Sequence, residues 1–146
     1  MDSDTKVNGA GSHIDLALVC VEPAMVPRIY PLVSQWIDDA YAVMDIPTPD
    51  VERWLIDQKG LLWVAICDDV PVACLTSSLV QARAGLALRM VAAGGHHLAM
   101  WKGFHEKIED YARAEGCYKV TLEGRYGWLR ALPGYIPVGV SLEKRI

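Results

Sequence analysis

Apolar residues recur along this chain with two different periods, and the switches between them mark its elements. Residues 14–21 (Ile-Asp-Leu-Ala-Leu-Val-Cys-Val) form a mostly apolar run closed by Glu22-Pro23, which reads as a strand. Val26, Ile29, Tyr30, Val33, Trp36, Ile37, Ala40, Tyr41 and Met44 then fall at helical spacing. They predict a long amphipathic helix that starts near Pro27 or kinks at Pro31, because an interior proline removes a helix hydrogen bond. A second helix follows, with Thr48 as N-cap, Pro49 at its first position and Asp50 in its first turn. Val51, Trp54 and Leu55 are its buried stripe, and Gly60 ends it.

The period then shortens. Residues 61–67 are a strongly apolar strand, Asp68-Asp69 is a tight turn, and residues 72–81 return as the second arm of a hairpin. A turn through Arg83 and Gly85 leads to a third strand over 86–92. Helical spacing resumes after Gly94-Gly95, with Leu98, Trp101, His105, Ile108, Tyr111 and Ala112 on one stripe and Gly116 at the end. A strand over 117–123, a short helix-like stretch over 126–132, a Pro133-Gly134-Tyr135 turn and a last strand over 136–142 complete the chain. Residues 1–13 are polar and Gly-rich without periodicity, so a flexible tail is expected ahead of one domain over 14–146.

The order β-α-α-β-β-β-α-β-α-β predicts an α/β fold. Its centre is a mixed, mostly antiparallel sheet with one βαβ crossover and helices on both faces. The strands near 86–92 and 117–123 should be parallel neighbours, since the helix between them is long enough for a right-handed crossover.

Composition narrows the function. With 146 residues, 52% hydrophobic and 22% charged, the chain suits a packed domain. A net charge of −4 argues against nucleic acid as partner, which would need a basic face. No apolar run reaches about 18 residues and the N-terminus lacks a basic-then-apolar leader, so neither membrane nor secretion is expected. Cys20, Cys67, Cys74 and Cys117 form no CxxC pair and are expected as reduced core thiols of a cytoplasmic protein. His97 and His105 lie about 12 Å apart along a helix, too far to share an ion, so no metal site is expected.

Two segments carry candidate chemistry. In the first, Val91, Ala93, Gly94, Gly95, His96 and His97 enter a helix that carries Lys102 in its first turns. Small residues there let backbone N–H groups approach a phosphate, with Lys102 in reach of it. A plain strand-to-helix turn with a solvated lysine uses the same residues equally well. In the second, Glu123-Gly-Arg125-Tyr126-Gly-Trp-Leu-Arg130 places two cations and two aromatics at the carboxyl end of a sheet strand, where ligands bind in open α/β sheets. The alternative is a helix cap with Trp128 in the core and both arginines solvated.

The element order over 14–146 resembles the GNAT acyltransferases, which transfer an acyl group from acetyl-CoA to an amine. The Gly-Arg-x-Gly-Trp run is most similar to GNAT-like proteins of tailed phages, which would place the protein in a host cytoplasm or a virion. The resemblance implies acetyl-CoA as co-substrate, with its phosphates over the 91–97 turn, Lys102 and Arg125. It also implies an acceptor amine on a protein or small molecule. The chain departs from the family's phosphate-loop signature, with Ala92 where the first Gly belongs if the motif starts at Arg89. Strand 85–92 has no carboxylate to act as base, which leaves Glu123 as the nearest one. Arg130 occupies the place of the family's proton-donating Tyr, with Tyr126 and Tyr135 as substitutes. An N-acetyltransferase is therefore one expectation. A catalytically degenerate GNAT-like structural or binding protein is the alternative, and an exposed sheet edge with five Trp leaves a homodimer open.

Overall fold

The computed structural model describes residues 5–9, 12–96, 101–124 and 132–146. Their strands form one six-stranded sheet in the order β1-β2-β3-β4-β5-β6. These are β1 (Thr5–Gly9), β2 (Ser12–Cys20), β3 (Leu61–Cys67), β4 (Val70–Gln81), β5 (Leu86–Gly95) and β6 (Lys119–Leu122). Every pairing is antiparallel except the last, in which Ala87, Leu88, Arg89 and Met90 face Lys119, Val120, Thr121 and Leu122 in parallel. The helices are α1 (Val26–Val43), α2 (Val51–Ile56) and α3 (Trp101–Ala114), the last forming the β5-to-β6 crossover. The expected mixed sheet, with its parallel pair, is the observed one.

Strand alternation divides the core between two faces. Leu62, Val64, Cys74 and Ala92 point towards α1 and α2, where Val26, Val33, Ile37, Tyr41, Val51 and Leu55 meet them. Trp63, Ala65, Ala73, Leu75, Leu88 and Met90 point the other way, onto Phe104, Ile108 and Ala112 of α3. The helical stripe read from the sequence is thus the buried one in α1, and the helix runs through Pro31. Asp68 and Asp69 both adopt positive φ, 48° and 66°, as a two-residue hairpin between right-twisted strands requires.

Four expectations need correction. Residues 5–9 are not tail: β1 pairs with β2 from Thr5↔Leu16 to Gly9↔Ser12, held by ladder bonds rather than by an apolar period. The N-cap of α2 is Asp50, whose carboxylate accepts from Arg53 N at 3.1 Å, while Thr48 donates its hydroxyl to Asp38 on α1. Cys74 alone is buried among the four cysteines. Cys20 ends β2 and is exposed, while Cys67 at the end of β3 and Cys117 between α3 and β6 are half-buried. Finally, residues 135–146 join no strand of the sheet, and Ile136, Val138, Val140 and Leu142 are exposed. The helix expected over 126–132 lies outside the described residues apart from Leu132, which is buried.

Candidate functional site

The parallel pair between β5 and β6 stops at Met90↔Leu122, yet β5 continues to Gly95 on its other edge, paired with β4 as far as Ala73↔Gly95. The sheet therefore opens into a notch between the end of β6 and the last five residues of β5. α3 begins at Trp101, shortly past the end of β5. An α-helix leaves its first four N–H groups without helix partners, which gives that end a positive field.

A bulge shapes the β5 side of the notch. Thr76 faces Ala92 but Ser77 faces Met90, so Val91 is an extra residue on β5. Val91 and Ala92 consequently both pack on the α1 side, and the alternation reverses beyond them. Two buried hydroxyls hold this irregularity in place. Thr76 Oγ1 accepts from Ala92 N at 3.2 Å, and Ser77 Oγ accepts from Trp63 Nε1 at 2.9 Å. Sequence periodicity gave no warning of Thr76 and Ser77, since hydroxyl residues within a strand usually mark its solvent face.

Gly94 and Gly95 are strand residues that allow close packing. A Cβ on Gly94 would come within 2.8 Å of Trp36 Cβ, and one on Gly95 within 2.4 Å of Ala73 Cα and Val72 O. Gly95 also has φ of 132°, which disfavours side chains. His96 N donates to Val72 O at 2.7 Å, and its ring stands edge-on to Trp36 with centroids 5.5 Å apart. Val91 and Ala93 are half-buried, on the α1 and α3 sides respectively. The turn towards α3 begins at His96, and His97 lies outside the described residues, as do Arg125, Tyr126 and Arg130. Lys102 is the second residue of α3.

Glu123 directly follows β6 and pairs with Arg89 of β5 at 3.6 Å, with both side chains well exposed. Leu88 and Met90 face α3, so Arg89 faces the α1 side. There its charge partly offsets the burial that raises the Tyr41 hydroxyl above its usual pKa. Tyr135 lines one cleft with Glu123, beside β6. It packs with the α3-side core and donates to Glu109 Oε2 at 2.9 Å. Burial and the adjoining Glu109 carboxylate both push its pKa upward, which holds the phenol neutral. No group of His, Cys, Asp and Glu among the described residues is disposed to hold a metal ion. Nor is any helix among them long and apolar enough to cross a membrane.

Solved structures that superpose on this chain include acetyltransferases. An aminoglycoside acetyltransferase from an uncultured soil metagenomic sample, in complex with trehalose, superposes with a TM-score of 0.69 at 11% identity, over 90% of this chain and 96% of that one. A GNAT family acetyltransferase of Staphylococcus aureus gives 0.59 at 15% identity, over 90% of this chain and 98% of that one. This is the GNAT fold. A predicted acetyltransferase of Clostridium acetobutylicum, solved with acetyl-CoA, shares the GNAT fold with a TM-score of 0.62 at 10% identity, over 89% of this chain and 96% of that one. In sequence the chain is 27% identical over 146 residues to human tectonin beta-propeller repeat-containing protein 2. That match takes in 95% of this chain but only 10% of the human protein's length. No family model matches the sequence.

Proposed function

We propose that the protein is an acyl-CoA-dependent N-acyltransferase, passing an acetyl group from acetyl-CoA to an amine on a protein or small molecule. The observation that carries this reading is the notch where β6 leaves β5. It exposes one edge of the last turn-ward residues of β5 close to the start of α3. Strand-edge amides suit the amide-bearing pantetheine arm, and a helix N-terminus suits a pyrophosphate. Lys102, two residues into α3, and Arg125, after β6, are the cations proposed to join the phosphates. Val91, Ala93, Gly94, Gly95, His96 and His97 would form the walls.

In this reading the acceptor amine approaches from the α1 side, where Arg89 and Glu123 stand. Glu123 takes the ammonium proton directly or through one water, and the amine nitrogen then attacks the thioester carbonyl. Collapse of that adduct forms the amide and expels the CoA thiolate. Tyr126 and Arg130 are the remaining candidates to stabilise the thiolate, Tyr126 by donating a proton and Arg130 only as a fixed charge, because its pKa exceeds about 12.

A specific observation favours a second reading, a GNAT-fold binding or structural protein, phage-encoded in one version, that transfers nothing. Tyr135, the tyrosine that closes the family-like turn, is already committed to Glu109. Titration with acetyl-CoA separates the two. A ligand at 100 times its dissociation constant raises native stability by about 2.7 kcal/mol, a clear upward shift in melting temperature. A shift together with free CoA released in the presence of amines supports the transferase. A shift without CoA release supports the binding protein, and no shift removes acetyl-CoA from both.

A further inference from the structure

The α1-side face of the β5–β6 pair carries two opposite charges beside the notch. Arg89 stands in register with Thr121, and Glu123 follows where β6 ends. Arg89 Nη2 lies 3.6 Å from Glu123 Oε1, and among the described residues neither side chain forms another ion pair. The acidic residues of α1 do not neutralise Arg89, because Asp38 accepts from Thr48 and Asp39 from Gln35. An ion pair this exposed is weakly held, so both members can exchange partners at little cost.

Tyr41 adds a second polar group that lacks a partner. Only 9% of the residue is exposed, yet its hydroxyl makes no hydrogen bond among the described residues. No sealed side-chain oxygen among them is left unsatisfied, so this hydroxyl opens onto the surface of the face. It lies near enough to Arg89 to feel the guanidinium charge, and burial keeps the phenol protonated as a donor. Tyr41 and Arg89 thus offer donors to an anion, directly beside a carboxylate that suits a cation.

We infer, on the acyl-transfer reading above, that the acceptor is a free α-amino acid, its carboxylate held by Arg89 and the Tyr41 hydroxyl and its ammonium by Glu123. In such a molecule the nitrogen is about 2.5 Å from the carboxylate carbon, given bonds of about 1.46 and 1.52 Å at an angle near 111°. That separation suits a cation and an anion 3.6 Å apart, so an antiparallel zwitterion meets an opposite charge at each end. A peptide N-terminus has the amine without the carboxylate, and a polyamine would bring a second cation onto Arg89. The transfer balances on these groups. Glu123 takes one ammonium proton and passes it to solvent, and the nitrogen bonds to the thioester carbonyl carbon. The C–S bond breaks with its electron pair on sulfur, and the second nitrogen proton ends on that sulfur. The N-acyl product has lost its cation, so Glu123 repels it and it leaves.

Calorimetry of the full chain with glycine, leucine, phenylalanine, glutamate and lysine, each against its methyl ester, reads binding without chemistry. CoA release from acetyl-CoA with the same compounds reads transfer. At least one free amino acid should bind, and its ester, lacking the anion, should bind about 10- to 100-fold more weakly. Arg89→Ala should bring acid and ester to equal affinity, and Arg89→Lys should restore part of the preference. Binding with CoA release supports both the amino-acid site and the transferase. Binding without release keeps the site and overturns the transferase. CoA release with spermidine or a lysine peptide, but with none of the amino acids, keeps the transferase and overturns the inference. Equal affinity for acid and ester, no binding of any amino acid, or a preference that survives Arg89→Ala would overturn it as well.

Discussion

The hydroxyl of Tyr135 donates to Glu109 Oε2 at 2.9 Å, tying the Pro133-Gly134 turn to the middle of α3. Arg113 also reaches Glu109, at 3.8 Å, so the carboxylate is shared between a phenol and a guanidinium. Hydrogen bonds to a charged acceptor contribute about 1.5–3 kcal/mol when well buried. For this half-buried pair, Tyr135→Phe should lower unfolding free energy by about 1 kcal/mol in urea titration. The raised pKa means the folded state favours the neutral phenol. Its contribution is therefore complete below the ordinary tyrosine value of 10.0 and falls away as pH rises beyond it. Tyr135→Phe should flatten that alkaline loss and leave any acyl transfer unchanged.

Gly94 and Gly95 invite a test of packing against ligand binding. Gly94→Val would press on Trp36, and Gly95→Val would meet β4 while holding an unfavourable φ. Each should cost about 1–3 kcal/mol, read as a lower melting temperature without any ligand present. A variant with unchanged stability and lost acetyl-CoA binding would instead make these glycines ligand contacts.

The bulge offers a more conservative probe of the notch. Thr76→Val keeps the side chain's shape but removes the acceptor for Ala92 N, leaving a buried N–H unsatisfied at about 1–3 kcal/mol. Ser77→Ala does the same to the Trp63 indole. Because Thr76 fixes where Val91 protrudes, its variant should also weaken acetyl-CoA binding beyond what lost stability explains, as measured by calorimetry well below the melting temperature.

How these features read from the sequence differs by kind. The α1 stripe was legible because one helix face meets one core, so Val26, Val33, Ile37 and Tyr41 recur at a single period. The β5–β6 pair was legible through its crossover helix. β1 was not, because Thr5–Gly9 is held by backbone pairing and its residues show no apolar alternation. The bulge was hidden for a related reason. Val91 and Ala92 are simply consecutive apolar residues in a strand, and their shared face follows from a hydroxyl on β4. Tyr135 illustrates the limit for chemistry. A Pro-Gly-Tyr turn marks where the tyrosine sits along the chain, but its partner lies 26 residues earlier, on α3.

Cys74 should be the least reactive thiol. Its sulfur lies 4.0 Å from the Val33 carbonyl oxygen, and burial pushes its pKa from 9.0 up to about 12. Only thiolates react, so a thiol reagent should modify exposed Cys20 early and Cys74 only on unfolding. The sign of the shift sets the pH behaviour. Stability from keeping this thiol neutral is complete below pH 9 and is lost progressively as pH rises towards about 12. Cys74→Ala should narrow that alkaline decline, although the smaller side chain lowers stability at neutral pH.

Glu123 is the decisive residue for the proposed chemistry. Its pairing with Arg89 is exposed on both sides, and such pairs contribute about 0–1 kcal/mol, so Glu123→Gln should leave the melting temperature nearly unchanged. If Glu123 takes the proton from the acceptor ammonium, the same substitution should reduce kcat/KM by about 10²-fold or more. The pH profile supplies the sharper test. If Arg130 rather than Tyr126 stands at the thiolate, no acid titrates, so the rate should rise with pH to a plateau, and Glu123→Gln should abolish that rise while acetyl-CoA affinity stays the same. Equal rates and identical pH profiles for the protein and its Glu123→Gln variant would reduce Glu123 to an exposed ion-pair partner, and the proton would have to leave by another route.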